Sequence, residues 1–176
     1  MDTHALESIT SDILEEIFLT CVYWYRTRIS PLTLAAVCRR WRDITLQNGR
    51  LWTDIDALKL KAAELFVQRS QRADLDVVWC EDKLRQDGVG FVPHSIVNDM
   101  PWLNSQHERF RVLAVHTTSK RPGNILPILS LRTTTLPRLK ALVLASTDQY
   151  GDIFDIRPGL LKLETQMPCL RHVTLW

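Results

Sequence analysis

From Asp12 onward apolar residues fall at Ile13, Leu14, Ile17, Phe18 and Cys21, the spacing of one side of an α-helix. Asp12 followed by Glu15 suits a capped start, so a first helix of about three turns is predicted. Ser30-Pro31 marks a second start, because serine accepts from free backbone amides and proline is tolerated in the first turn. Leu34, Val37, Cys38, Trp41 and Ile44 then keep helical spacing while Arg39, Arg40, Arg42 and Asp43 lie mostly opposite, which predicts an amphipathic helix with room for a bend midway. In that stripe Cys38 reads as a small buried hydrophobe. Asn48-Gly49 ends the helix, and Leu51 and Trp52 follow at once.

A segment this short cannot hide Ile9, Ile13, Leu14, Ile17, Phe18, Val22, Trp24, Leu32, Leu34, Val37, Trp41, Ile44, Leu46, Leu51 and Trp52 by itself. Residues 1–56 are therefore expected to form a small helical docking module whose leftover apolar surface meets a partner.

Beyond it the pattern changes. Residues 57–69 are rich in helix formers, with Leu58, Ala62, Leu65, Phe66 and Arg69 on one face. Leu75, Val77 and Trp79 alternate as in a strand. Phe110-x-x-Leu113-x-Val115, Leu139-x-x-Leu142-x-Leu144 and Leu170-x-x-Val173-x-Leu175 repeat one template at spacings of 29 and 31 residues, and Leu136-Pro137 and Met167-Pro168 precede the last two. Helix-compatible stretches lie between them, around Ile125 to Leu131 and Leu160 to Leu163. The plan is a strand and a helix about every 30 residues, each unit burying its apolar face against its neighbours, as in a leucine-rich repeat. Thr118 and Thr147 stand where the repeat places Asn or Cys, so the repeats are degenerate, and an unrelated α/β domain with strands at the same three sites is the alternative. Residues 57–176 are read as a connecting helix plus repeat-like domain. Because Trp176 directly follows the third signature, that domain is expected to be incomplete at its C-terminus or covered by something else.

Three runs carry a family resemblance: Asp12-Ile-Leu-Glu-Glu-Ile-Phe-Leu, Pro31-Leu-Thr-Leu-Ala-Ala-Val-Cys-Arg-Arg-Trp-Arg-Asp-Ile, and Arg50-Leu-Trp. Over about residues 8–55 the chain resembles an F-box, in particular the fungal F-box proteins whose motif leads into leucine-rich repeats. Ile9-Thr10 stands where the family has Leu-Pro. The resemblance implies a fold between α+β and α/β, with a three-helix F-box module followed by a short strand-helix solenoid. It implies a substrate receptor of a cullin-RING ubiquitin ligase, docked on the Skp adaptor and through it on a cullin, with an unidentified protein substrate on the repeats. The adaptor contacts it implies are Ile9, Leu14, Ile17, Phe18, Val37, Cys38, Trp41, Leu51 and Trp52. A plain repeat scaffold with no ligase role, its helical start capping the solenoid, is the other reading; the two differ in whether Leu14, Phe18, Val37 and Trp52 are exposed or buried against the repeats.

Composition narrows the classes. Of 176 residues 45% are hydrophobic and 24% charged, as in ordinary folded domains. A net charge of +2 gives no basic field for nucleic acid, and Arg39, Arg40 and Arg42 beside Trp41 read as a solvated face. Residues 1–56 hold 6 basic against 8 acidic residues and the rest 16 against 12. The acidic start and the lack of a run of about 18 apolar residues argue against a secretory signal and a membrane span, so a cytoplasmic or nuclear protein is expected. Cys21, Cys38, Cys80 and Cys169 lie far apart, and no metal or other cofactor is expected. Gly88-Val-Gly90 reads as a turn, and His4, His94, His107, His116 and His172 are scattered with no nucleophile or carboxylate at a telling spacing, so no catalytic residues are assigned.

Overall fold

The computed structural model describes residues 9–23, 29–80, 105–117, 135–146 and 167–175. Its elements are helices α1 (Ser11–Tyr23), α2 (Pro31–Val37), α3 (Arg39–Gln47) and α4 (Leu60–Arg69), and strands β1 (Asp54–Asp56), β2 (Leu75–Cys80), β3 (Phe110–Thr117), β4 (Ala141–Ser146) and β5 (His172–Leu175). Single turns of 3-10 helix at Gly49–Trp52 and His107–Arg109 lead into β1 and β3. The class is mixed α/β.

Local chemistry explains the helix ends. The Ser30 hydroxyl accepts from the Leu32 amide at 3.2 Å, and Pro31 occupies the first turn of α2. The amphipathic stretch expected over Pro31 to Gln47 is two helices, broken where Cys38 turns to an extended backbone. Its Sγ accepts from the Trp41 amide at 3.5 Å and caps α3, so Cys38 is exposed rather than a buried member of the stripe. Asn48 ends α3 and its Oδ1 accepts from the Arg50 amide at 3.0 Å. A Cβ at Gly49 would sit 2.8 Å from the Ser70 carbonyl oxygen, so the return of the chain past the end of α4 requires glycine there.

The helical unit closes on Leu14, Phe18, Leu19, Val22, Leu34, Ile44, Leu51 and Trp52. Phe18 meets Trp41 with ring centroids 4.7 Å apart, and the Trp52 indole donates to the Thr45 carbonyl at 2.8 Å. β1 before α4 and β2 to β5 after it form a five-stranded sheet of order β1-β2-β3-β4-β5, parallel throughout. One rung joins Ile55, Val77, Leu113, Leu142 and Val173. Leu113, Leu142 and Val173, the equivalent positions of the three signatures, thus share one parallel register. Leu113 and Leu142 are buried, whereas Val173 is 48% exposed, because β5 has a described neighbour on one side alone.

The three repeat signatures supply this core: Phe110, Leu113, Val115, Leu139, Leu142 and Leu144 are all buried, as are Leu136 and Met167 before the prolines. Leu75, Val77 and Trp79 complete it from β2. Two details differ from the sequence reading. The sheet begins with β1, whose Ile55 is fully buried in the sheet core, so a division at residue 56 separates β1 from the sheet it belongs to. Of the face expected over residues 57–69, Leu58 and Phe66 pack on the sheet core, but they are joined there by Ala63 and Val67 rather than by Ala62, Leu65 and Arg69. The intervening stretches around Ile125 to Leu131 and Leu160 to Leu163, with Gly88-Val-Gly90, Thr118 and Thr147, lie outside the described residues.

Candidate functional site

Two surfaces compete as the working part of the chain: the outside of the helical unit and the sheet. On the helical unit, the apolar residues of α1 divide into two stripes. Leu14, Phe18 and Val22 face the core, whereas Ile13 and Ile17, four residues apart, stay 54% and 42% exposed. Ile13 and Ile17 line a shallow apolar depression with Asp12, Glu16, Thr20 and Cys21. On α2 the exposed apolar side chains are Leu32 and Val37, the latter at 59%. Large aliphatic side chains this open are the surplus that the composition of the segment implied.

The residues singled out from sequence therefore separate. Leu14, Phe18, Leu51 and Trp52 are interior and hold the module together, so they are not surface contacts in the free chain. Ile9 is half-buried against the same core, and its carbonyl accepts from the Arg40 guanidinium. Trp41 is half-buried beside Phe18. Ile17, Val37 and Cys38 alone are at the surface. Ile13 and Leu32 belong with them and were missed, although Ile13 shares a helix side with Ile17 in the sequence pattern. Of the four positions that discriminate the two readings, Val37 is exposed, and Leu14, Phe18 and Trp52 are buried within the helical unit rather than against the repeat signatures.

The helical unit is fixed to the sheet. Trp52 packs on Phe66 of α4, and the Arg69 guanidinium lies over the Trp52 ring at 4.4 Å. At the end of α1 the Tyr23 hydroxyl hydrogen-bonds the Arg50 carbonyl and the Thr53 hydroxyl. Burial pushes the Tyr23 phenol up from its ordinary value, partly offset by the Thr53 bond. A cleft of about 300 Å³ runs along this junction, apolar at Val22, Ile29, Pro31, Leu51, Ala63 and Phe66, with Asp54, Asp56 and Lys59 also lining it.

On the sheet, the side of the strands away from the core carries polar, alanine and valine side chains, among them Asp76, Val78, Ala114, His116, Ala141, Val143 and Ala145. Cys80 Sγ lies 3.5 Å from His116 Nδ1 on adjacent strands. At the beginning of β3 the Arg111 guanidinium grips the Asp76 carboxylate at 2.9 and 2.5 Å, which holds Arg111 above its usual range. Arg109 donates to the Ser70 hydroxyl at 2.7 Å and to the Ala73 carbonyl, tying the exit of α4 to β3. Among the described residues no group of three or more His, Cys, Asp or Glu side chains is placed to hold a metal ion, and no helix is long and apolar enough to cross a membrane. Comparison of the chain with protein-family models, with characterised proteins and with solved structures finds no match.

Proposed function

We propose that the chain is a substrate receptor of a cullin-RING ubiquitin ligase, an F-box unit that docks on a Skp adaptor while the parallel sheet presents a protein substrate. The supporting observation is the second apolar stripe of α1: Ile13 and Ile17 remain open on a helix whose first stripe already fills a complete core. A helix that serves its own fold needs one stripe, and a second at the same helical spacing suits a partner. Val37, at the end of α2 within the Val-Cys-Arg-Arg-Trp-Arg stretch, adds an exposed aliphatic side chain. The contact set is thus Ile13, Ile17, Leu32 and Val37, supported from behind by Leu14, Phe18 and Trp52.

Parallel strands stacked in sequence order, with the signature residues on shared rungs, support the repeat-like role of the remainder. Calorimetric titration of the full chain with a Skp adaptor is the test. Wild type should bind with a negative heat-capacity change, and Ile17→Asp with Val37→Asp should abolish binding while leaving the circular dichroism spectrum intact. No association of the folded wild type would reject the reading in favour of a plain binding scaffold.

A further inference from the structure

The second residue of every repeat signature is basic: Arg111, Lys140 and Arg171. In the sequence they are about a turn of the repeat apart, but the fold brings them together. The Lys140 amide donates to the Arg111 carbonyl at 2.8 Å, and the Arg171 amide donates to the Lys140 carbonyl at 2.9 Å. The three residues are therefore neighbours at the starts of adjacent strands, at the interstrand spacing of about 4.8 Å. The His172 amide also reaches the Lys140 carbonyl at 3.1 Å, which fixes the start of β5 against β4.

Neutralisation along this strip is uneven. Arg111 is satisfied by Asp76, and Arg138 by Asp74 at 2.8 Å. Lys140 and Arg171 are exposed and, among the described residues, have no ion pair or side-chain hydrogen bond. Like charges side by side in a sheet oppose its formation, so nothing in the fold itself favours two unpaired cations side by side at the starts of neighbouring strands. An anion lying across both removes that repulsion.

We propose that Lys140 and Arg171 form a binding strip for an extended acidic peptide segment. The strip is short, because Asp76 and Asp74 already neutralise Arg111 and Arg138 and leave two free cations among the described residues, which suits two or three carboxylates on an extended chain better than a long uniform polyanion. From the docking reading the inference takes only the sheet as the side facing the substrate. The assay contains no adaptor, so either can fail alone.

The test is fluorescence anisotropy of the full chain with a labelled peptide of alternating Glu and Ser, and with its Gln and Ser counterpart. The acidic peptide should bind and weaken steeply as salt rises, and the neutral one should not bind. Lys140→Gln with Arg171→Gln should weaken acidic-peptide binding about tenfold, while Lys61→Gln on the exposed side of α4 leaves it unchanged. All these side chains are exposed and unpaired among the described residues, so the melting temperatures of the variants should match wild type. Equal binding of both peptides, or no loss in the Lys140 and Arg171 double variant, would overturn the proposal. So would a single-stranded DNA of equal charge that displaces the peptide at lower concentration than the peptide itself, which would assign the strip to nucleic acid.

Discussion

Trp52 meets the edge of Phe66 with ring centroids 5.0 Å apart and planes at 87°. This contact joins the last residue of the helical unit to the helix that covers the sheet, and Phe66 touches both cores. Such a pair contributes about 1 kcal/mol beyond the area it buries. Phe66→Ala should cost about 3 kcal/mol in denaturant unfolding, and the double variant with Trp52→Phe should reveal coupling between the two positions. By the same geometry Trp52→Asp should unfold the helical unit rather than remove a surface contact. Loss of far-UV ellipticity at 25 °C would distinguish the two outcomes.

Thr45 is fully buried in α3, and its hydroxyl has no hydrogen-bond partner among the described residues. An unsatisfied buried hydroxyl costs about 1 kcal/mol or more. Valine has nearly the same shape without the polar atom. Thr45→Val should therefore raise stability by about 1 kcal/mol, measured as a higher denaturant midpoint at unchanged slope. A lower midpoint would mean that the hydroxyl is satisfied in solution.

The alkaline limb of stability should depend on Tyr23. Its phenol is raised above the ordinary value in the folded chain, mainly by burial, so the folded state resists losing that proton. The contribution is fully present below about pH 10 and is lost as pH rises through the higher folded value. Tyr23→Phe removes the bonds to Arg50 and Thr53 and should cost about 1 kcal/mol at pH 7. The gap between the variant and wild type should narrow above about pH 10, read from urea unfolding across pH.

Much of the fold was legible because periodicity is a local signal. The four-residue spacing in α1, the Ser30 cap and the shared register of Leu113, Leu142 and Val173 were all visible in residue order. Three features were less so, for physical reasons. Cys38 has the helical spacing of a core residue, but a thiol that caps the next helix breaks the stripe, and cysteine is rarely read as a cap. β1 has three residues, and the single buried Ile55 between two aspartates shows alternation too short to register as a strand. The face of α1 that fills the core cannot be told from the sequence, since Ile13 and Ile17 are as apolar as Leu14 and Phe18, and only tertiary packing assigns one pair inward. The basic strip was overlooked because its members lie about 30 residues apart in the sequence and meet only through the parallel register.

The docking account stands or falls on which amides an adaptor protects. Hydrogen exchange of the full chain, alone and saturated with a Skp adaptor, reads this residue by residue. The account predicts added protection over Ser11–Tyr23 and Pro31–Val37, where Ile13, Ile17, Leu32 and Val37 lie, and none over Ala141–Ser146. Protection centred on the sheet with α1 and α2 unchanged, or no change anywhere, would contradict it.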